Sequence, residues 1–245
     1  MHNLPRVWPP PLSHVTQFIA YSSLSGLSSS TTKTYVAAVG FQCKLIGHND
    51  ITSHFMIRKM LEGKKRIKPT KDSRLPITKN LFRQIIMSLP SVTSSHYETL
   101  FRAAYSLCFF VFLRVGEVTV VDSKNSDRMF TSSHKRLKEN KRELELTIPF
   151  SKTDQLGKGE TIIISETCSN ICPLLHLKNY IKSRPSYKGP FFCHFGGKPL
   201  TLYQFTAVLS KVLASLGAYT NLYKSHSFRI GAAASFIKTV IQKIK

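Results

Sequence analysis

Acidic residues are scarce in this chain. Its 245 residues hold 13 Asp and Glu against 35 Lys and Arg, for a net charge of +22 and a pI near 10.0. An excess this large in a folded protein points to a polyanion, of which nucleic acid is the usual one. An anionic membrane is the other option, but no basic amphipathic helix stands out to lie on it. Long apolar runs are also missing. The longest, Ala103–Leu113, is too short to span a bilayer, and the N-terminal MHNLPRVWPPP has no uninterrupted apolar stretch of the kind a signal peptide needs. There is no internal repeat and no glycine-rich loop of the nucleotide-binding type. Cysteine is sparse and odd in number, with five residues, so free thiols in a reducing compartment are expected rather than a disulfide framework. Cys168, Cys172 and His176 come nearest to zinc-ligand spacing. No fourth ligand accompanies them, and Pro173 after Cys172 reads as a helix start, so no metal and no cofactor are expected.

What is present is a chain with 42% hydrophobic and 20% charged residues, the balance of a globular protein of one or two domains. Residues 1–14 are proline-rich and expected to be irregular, and 15–30 hold a short apolar piece and a serine-rich loop. Ser30 or Thr31 is a candidate cap for a helix carrying Val36, Val39, Cys43 and Ile46, with Gly47 at its end. A further helix is expected over Ile51–Leu61. Arg58–Arg74 has the composition of a basic linker, suited either to a phosphate backbone or to solvent and a nuclear address.

The second part starts with a helix entered at Pro76 and Thr78, with Leu81, Ile85 and Leu89 on one face, and stopped by Pro90. A nearly all-apolar helix over about His96–Leu113 follows and is expected to be buried. Leu144, Leu146 and Ile148 alternate with polar residues as a half-buried strand, and Thr161–Ser165 is a second strand. The loop between them, Ser151–Gly159, carries Lys152 at its base and Lys158 near its tip. Lys135–Arg142 is another basic patch. A helix is expected over 173–183, a short strand over Gly189–His194, and a turn at Gly196–Gly197. Thr201 and Gln204 form a capping box for a helix ended by Gly217. Ser225 is a candidate cap for a last helix in which the small residues Gly231–Ala234 permit close packing.

Within CFFVFLRVGEVTVV, Arg114 is a charge embedded in an apolar run, with Glu117 three residues on. Burying it requires a partner or a ligand, so Arg114 is either salt-bridged for structure or set at the floor of an anion site. His226 and Arg229 in KSHSFRIGAAA share a helical face. Two arginines, Lys152 and His226 make a donor set without metal-ligand spacing, which suits a phosphodiester whose charge grows in the transition state.

Arg114 in FLRVGE, Lys152 in SKTDQ and the His226/Arg229 pair in HSFRIGAA resemble, in that order, the catalytic motifs of the tyrosine recombinases, the phage-integrase family. The likeness is nearest to the recombinases of eukaryotic mobile elements and covers most of the chain, from about residue 15 to about residue 240. It implies a mainly α fold with a small antiparallel β-sheet (α+β). A partial helical DNA-clamp domain with its basic linker would occupy residues 1–68, and a recombinase-like catalytic domain 69–245.

By the same likeness Arg114 and Arg229 neutralise the non-bridging phosphate oxygens and Lys152 protonates the departing 5′ oxygen. His226 donates to the phosphate, and Glu117 orients Arg114 or His226. Lys64, Lys65, Arg66, Lys68 and Lys158 are expected to contact DNA. The family's nucleophilic tyrosine follows the His-x-x-Arg motif, whereas all nine tyrosines here precede His226, so a chain cut short before the nucleophile is expected. The partner implied is double-stranded DNA in the nucleus, with self-association on DNA, and strand cleavage by this chain alone is not expected. A retained, non-catalytic DNA-binding protein, a tyrosine supplied by another chain, and a basic scaffold for RNA or acidic protein are the other readings.

Overall fold

The computed structural model describes residues 7–67, 73–120, 131, 135–137, 142–149, 154, 156–167, 169–186 and 188–244, with the backbone alone at 135–137 and 238–244. The chain divides into two compact units, Met1–Asp72 and Ser73–Lys245.

The first unit is helical. Helix α1 (Leu12–Leu24) begins directly after the prolines, with Pro11 extended at its N-cap and its carbonyl accepting the His14 N–H at 3.0 Å. The irregular N-terminal stretch is therefore shorter than residues 1–14. Ser28, rather than Ser30 or Thr31, caps α2 (Ser29–Leu45) by accepting the Thr31 N–H, and Gly47 stands at φ +76° just past its end, where a side chain would be strained. A short 3-10 turn (Ile51–Ser53) leads into α3 (Phe55–Ile67). This helix runs through the stretch whose charge suggested a linker. Ile57, Met60, Leu61 and Lys64 recur at helical spacing and turn inward. Interior Gly63 costs only about 1 kcal/mol relative to Ala, too little to break a helix so anchored. The core of this unit is small, built on Val15, Ile19, Val36 and Ile57.

The second unit has a far larger core. Its helices are α4 (Lys79–Val92), α5 (Ser95–Phe110), the single turn α6 (Val115–Val118), α7 (Pro173–Ser183), α8 (Leu202–Ser215) and α9 (Ser227–Ile244). Pro90 does not stop α4 but sits in its last turn, where only one intrahelical bond is forfeited. Helix α5 is buried along nearly its whole length, as its composition requires, and ends at Phe110 rather than Leu113. Phe82 of α4 stacks on Phe109 of α5 with centroids 4.5 Å apart, and Tyr105, Phe205 and Phe228 complete an aromatic cluster joining α5, α8 and α9. The Tyr105 hydroxyl, which such burial would leave unsatisfied, donates to the Phe205 carbonyl at 3.0 Å.

Among the described residues one antiparallel sheet accompanies the helices, in the order β1 (Lys135–Leu137), β2 (Glu143–Ile148), β3 (Glu160–Ser165). Leu144, Leu146 and Ile148 are all buried, as their alternation predicts, and Leu146 lies opposite Ile162. The Gly189–His194 stretch contributes isolated bridges, Thr131 with Pro190 and Cys193 with Pro199, instead of a strand. The capping box of α8 is present, and Gly217 ends that helix at φ +69°. Ser225 does not cap α9. The hydroxyl of Ser227 accepts the Lys224 N–H at 3.0 Å, and the Ser227 carbonyl accepts the Ile77 N–H at 3.0 Å. The result is an α+β protein, mainly helical, with one small antiparallel sheet.

Candidate functional site

Helix α5 ends in an unusual way. Val111 closes its last turn, and Phe112 follows at φ +57°, the left-handed region that a bulky residue occupies only at a cost of roughly 1–2 kcal/mol. That reversal releases the chain from the core helix and delivers Arg114, two residues on, to the start of α6. There Glu117 holds it twice. One carboxylate oxygen accepts the Arg114 backbone N–H at 2.7 Å, and the other accepts from its guanidinium at 3.1 Å. The Arg114 side chain is 29% exposed and that of Glu117 is 11%, so the pair is half-buried and held in one geometry, unlike a surface ion pair.

The second arginine reaches the same place from α9. Phe228 is fully buried in the aromatic cluster, which fixes the helix rotation and turns Arg229 away from the core. The approach of α9 is set by Gly231: a Cβ there would overlap the backbone of Ile77. Arg114 and Arg229 both line one cleft of about 720 Å³, together with Glu117, Glu160, Thr167, and an apolar wall that includes Phe112, Leu113, Ile162 and Pro173. Among the described residues, Glu117 is the ion-pair partner of Arg114, whereas the Arg229 guanidinium makes no ion pair or hydrogen bond. A half-buried guanidinium with its five donors available is matched chemically to a phosphate or carboxylate.

The other site candidates fall differently. His226 lies one turn before Arg229, exposed, and it is not among the residues lining the cleft; its carbonyl accepts the Ile230 N–H at 3.1 Å. Lys152 and Lys68 lie outside the described residues. Lys158 is exposed on the β2–β3 loop. The described end of that loop is held by Asp154, whose carboxylate accepts the N–H groups of Gly159 at 2.8 Å and Lys158 at 3.2 Å. The Gly159 bond above all, with Lys158 behind it, holds the Asp154 carboxyl below the usual carboxylate range against a weaker opposing effect of burial. Lys65 and Arg66 are exposed on α3. Lys64, expected to contact DNA, instead turns its side chain inward, and Nζ donates to the hydroxyls of Ser22 and Ser23, each at 3.2 Å, so it is not displayed to a DNA backbone. Its apolar stem continues the buried stripe of α3, which explains why one lysine of the run is drawn in. Sequence reasoning missed Phe112, Asp154 and Glu160. Phe112 carried no sequence signal, since the turn after α5 has no glycine before Gly116 to mark a left-handed residue.

The described residues hold no cluster of three or more His, Cys, Asp or Glu able to bind a metal ion. No protein-family profile matches the sequence, and no curated protein matches it. Solved structures do. The XerH site-specific recombinase bound to difH substrate in a pre-cleavage complex matches 94% of this chain and 60% of its own, at 14% identity and a TM-score of 0.56. A lambda integrase dimer bound to a COC′ core site matches 98% of this chain and 62% of its own, at 13% identity and a TM-score of 0.60. The fold is that of the tyrosine recombinases. The Tn1549 transposon integrase in complex with circular-intermediate DNA has it too, matching 94% of this chain and 74% of its own with a TM-score of 0.57 at 13% identity. The chain spans about three fifths of the length of XerH and of lambda integrase. At this identity the likeness to the tyrosine recombinases is one of backbone architecture, and the chemistry has to be argued from the cleft.

Proposed function

We propose that this protein binds double-stranded DNA in the manner of a site-specific recombinase, with a backbone phosphate seated between Arg114 and Arg229, and that the polypeptide of these 245 residues does not cleave the strand. The observation that carries the reading is the convergence of the two arginines, distant in sequence, on one cleft in which Arg229 has no protein partner among the described residues. Planar guanidinia recognise two phosphate oxygens at once and stabilise the charge that grows on them. Glu117 presets Arg114, so little side-chain freedom is lost when the anion arrives. Lys152 is the candidate acid for a departing 5′ oxygen, and His226 a donor that closes on the phosphate once DNA is present. Lys65, Arg66, Lys68 and Lys158 supply sequence-independent contacts, for which the charge of +22 is the electrostatic basis.

None of the nine tyrosines follows Arg229 in these 245 residues, which is the ground for proposing grip without attack. A mobile-element origin, a nuclear location and self-association on DNA belong to the same reading. The test is duplex binding across a salt series together with a nicked suicide substrate. Binding should fall steeply with salt, and no SDS-stable adduct should form. Weak binding at low salt would sink the DNA reading, and a covalent adduct would show that an upstream residue attacks.

A further inference from the structure

The two arginines of the cleft are each accompanied by an exposed phenylalanine. Phe112 stands two residues before Arg114 and lines the cleft; Phe236 lies seven residues after Arg229, two turns along the same face of α9. Their rings meet edge to face with centroids 6.5 Å apart and interplanar angle 86°, yet Phe112 remains 37% exposed and Phe236 62%. Exposed aromatic faces beside guanidinia are the combination that recognises a nucleotide out of its stack, because the phosphate takes the charge and the base takes the ring. Phe112 also holds a left-handed conformation that glycine would adopt without strain. A strained, half-exposed aromatic at the lip of an anion cleft is within reach of whatever the cleft binds.

We propose that Phe112 and Phe236 form a stacking platform for one unpaired nucleobase of DNA, adjoining the phosphate held by Arg114 and Arg229. The inference rests on the phosphate reading of the cleft and adds a substrate preference to it: DNA with an unstacked nucleotide at the gripped phosphate is bound in preference to an intact duplex. The two residues come from different elements, so the base is held between the α5–α6 turn and the outer face of α9. An intact duplex keeps its bases stacked and offers the platform nothing, and only its backbone is gripped.

The experiment measures the affinity of the full chain for two fluorescein-labelled DNAs of the same length, one fully paired and one with a single-nucleotide bulge, at about 0.15 M salt to suppress non-specific binding. The protein should bind the bulged DNA at least about five-fold more tightly, the lower end of what stacking one base on an aromatic ring provides. Phe112→Leu should bring that ratio close to one, and Phe236→Leu, on an exposed helix face where folding is not at stake, should reduce it. Arg229→Ala should weaken both DNAs together and leave the ratio standing. If the unaltered protein shows no preference while Arg229→Ala still weakens both DNAs, the platform is overturned and the phosphate site survives. If Arg229→Ala weakens neither, the phosphate reading itself has failed. A preference that persists unchanged in both leucine variants also overturns the proposal.

Discussion

Two corners of the second unit carry an arginine into one cleft, and they are built in opposite ways. The Arg114 corner is a strained turn closed by a carboxylate. Phe112 is left-handed, and Glu117 grips both the backbone and the guanidinium of Arg114. At the Arg229 corner an unstrained helix is pressed against a neighbouring backbone, Gly231 on Ile77, and its arginine has no protein partner among the described residues. The first corner presets a charge and the second leaves one available. An anion site benefits from both, since a fixed guanidinium lowers the entropy cost of binding and a free one supplies the unspent donors.

The sharpest way to break the second corner is Gly231→Ala. The added Cβ would overlap the Ile77 backbone, which is also held by the bond from the Ile77 N–H to the Ser227 carbonyl. Backbone cannot swing aside as a side chain can, so a loss of about 4 kcal/mol is expected, at the top of the range for a single substitution. Gly116→Ala is the contrast at the first corner. Nothing lies within 4 Å of the added carbon, and its effect should be neutral or stabilising by up to about 1 kcal/mol. Urea unfolding of the two variants checks the pair, and equal effects would mean that α9 does not depend on that close approach.

Acid probes the packing of α7 against α5, the helix that leads to the first corner. His176 of α7 is buried against α5, sharing a 2.7 Å hydrogen bond with the Ser106 hydroxyl. Burial chiefly, and the charge of Arg102 after it, lowers its pKa from the usual 6.5 to about 4, against the opposing effect of a hydrogen bond to the Asn170 backbone. The unfolded chain therefore takes up a proton below pH 6.5 that the folded chain refuses until about 4. Stability is whole above 6.5 and falls as the pH drops towards 4, by roughly 3 kcal/mol across the window, of which roughly 2 kcal/mol goes by pH 5. His96, lowered above all by burial, adds in the same direction. Urea midpoints at pH 7.5 and pH 5 should differ accordingly and differ less in His176→Leu. A flat profile in the unaltered protein would show that His176 is protonated in the fold.

Glu117→Ala separates presetting from availability. It removes two charge-assisted bonds to Arg114 and should cost about 2 kcal/mol of stability. The same change frees the Arg114 guanidinium to move, so DNA affinity should fall although the cleft gains positive charge. A rise in affinity would mean that Glu117 merely opposes the anion and does not position its receptor.

Much of this architecture could be read from residue patterns, and the failures have physical causes. The β2 alternation, the α8 capping box and the buried α5 follow from local chemistry that tertiary contacts only reinforce. The helix expected over Ile51–Leu61 is present from Phe55, but its run on through the charged stretch to Ile67 was not legible, because a lysine stem, that of Lys64, serves as the fourth position of its buried stripe. Pro90 was overruled by the buried face on which α4 packs. As for the cleft, Arg114 was conspicuous because a charge in an apolar run demands an explanation. For Arg229 the pointer was the likeness of its motif; how α9 crosses the Leu75–Ile77 segment to bring it into the same cavity is encoded by no local pattern. Phe112 went unnoticed because a left-handed phenylalanine breaks the rule by which such turns are found.

That exception allows the finest comparison between the corners. Glycine is normally the more costly of the two small residues, by roughly 0.5–1 kcal/mol against alanine, because it has more freedom to lose on folding. At position 112 the order should reverse. Alanine would keep the left-handed strain and lose the ring's partial burial and its edge contact with Phe236. Glycine would lose the same contacts but shed a strain of roughly 1–2 kcal/mol. Phe112→Gly should therefore unfold at higher urea than Phe112→Ala, by the equivalent of about 1 kcal/mol, and lie close to the unaltered protein. Should alanine prove the equal of glycine there, the turn after α5 is not held left-handed in solution, and the contrast between a strained corner and a relaxed one loses its footing.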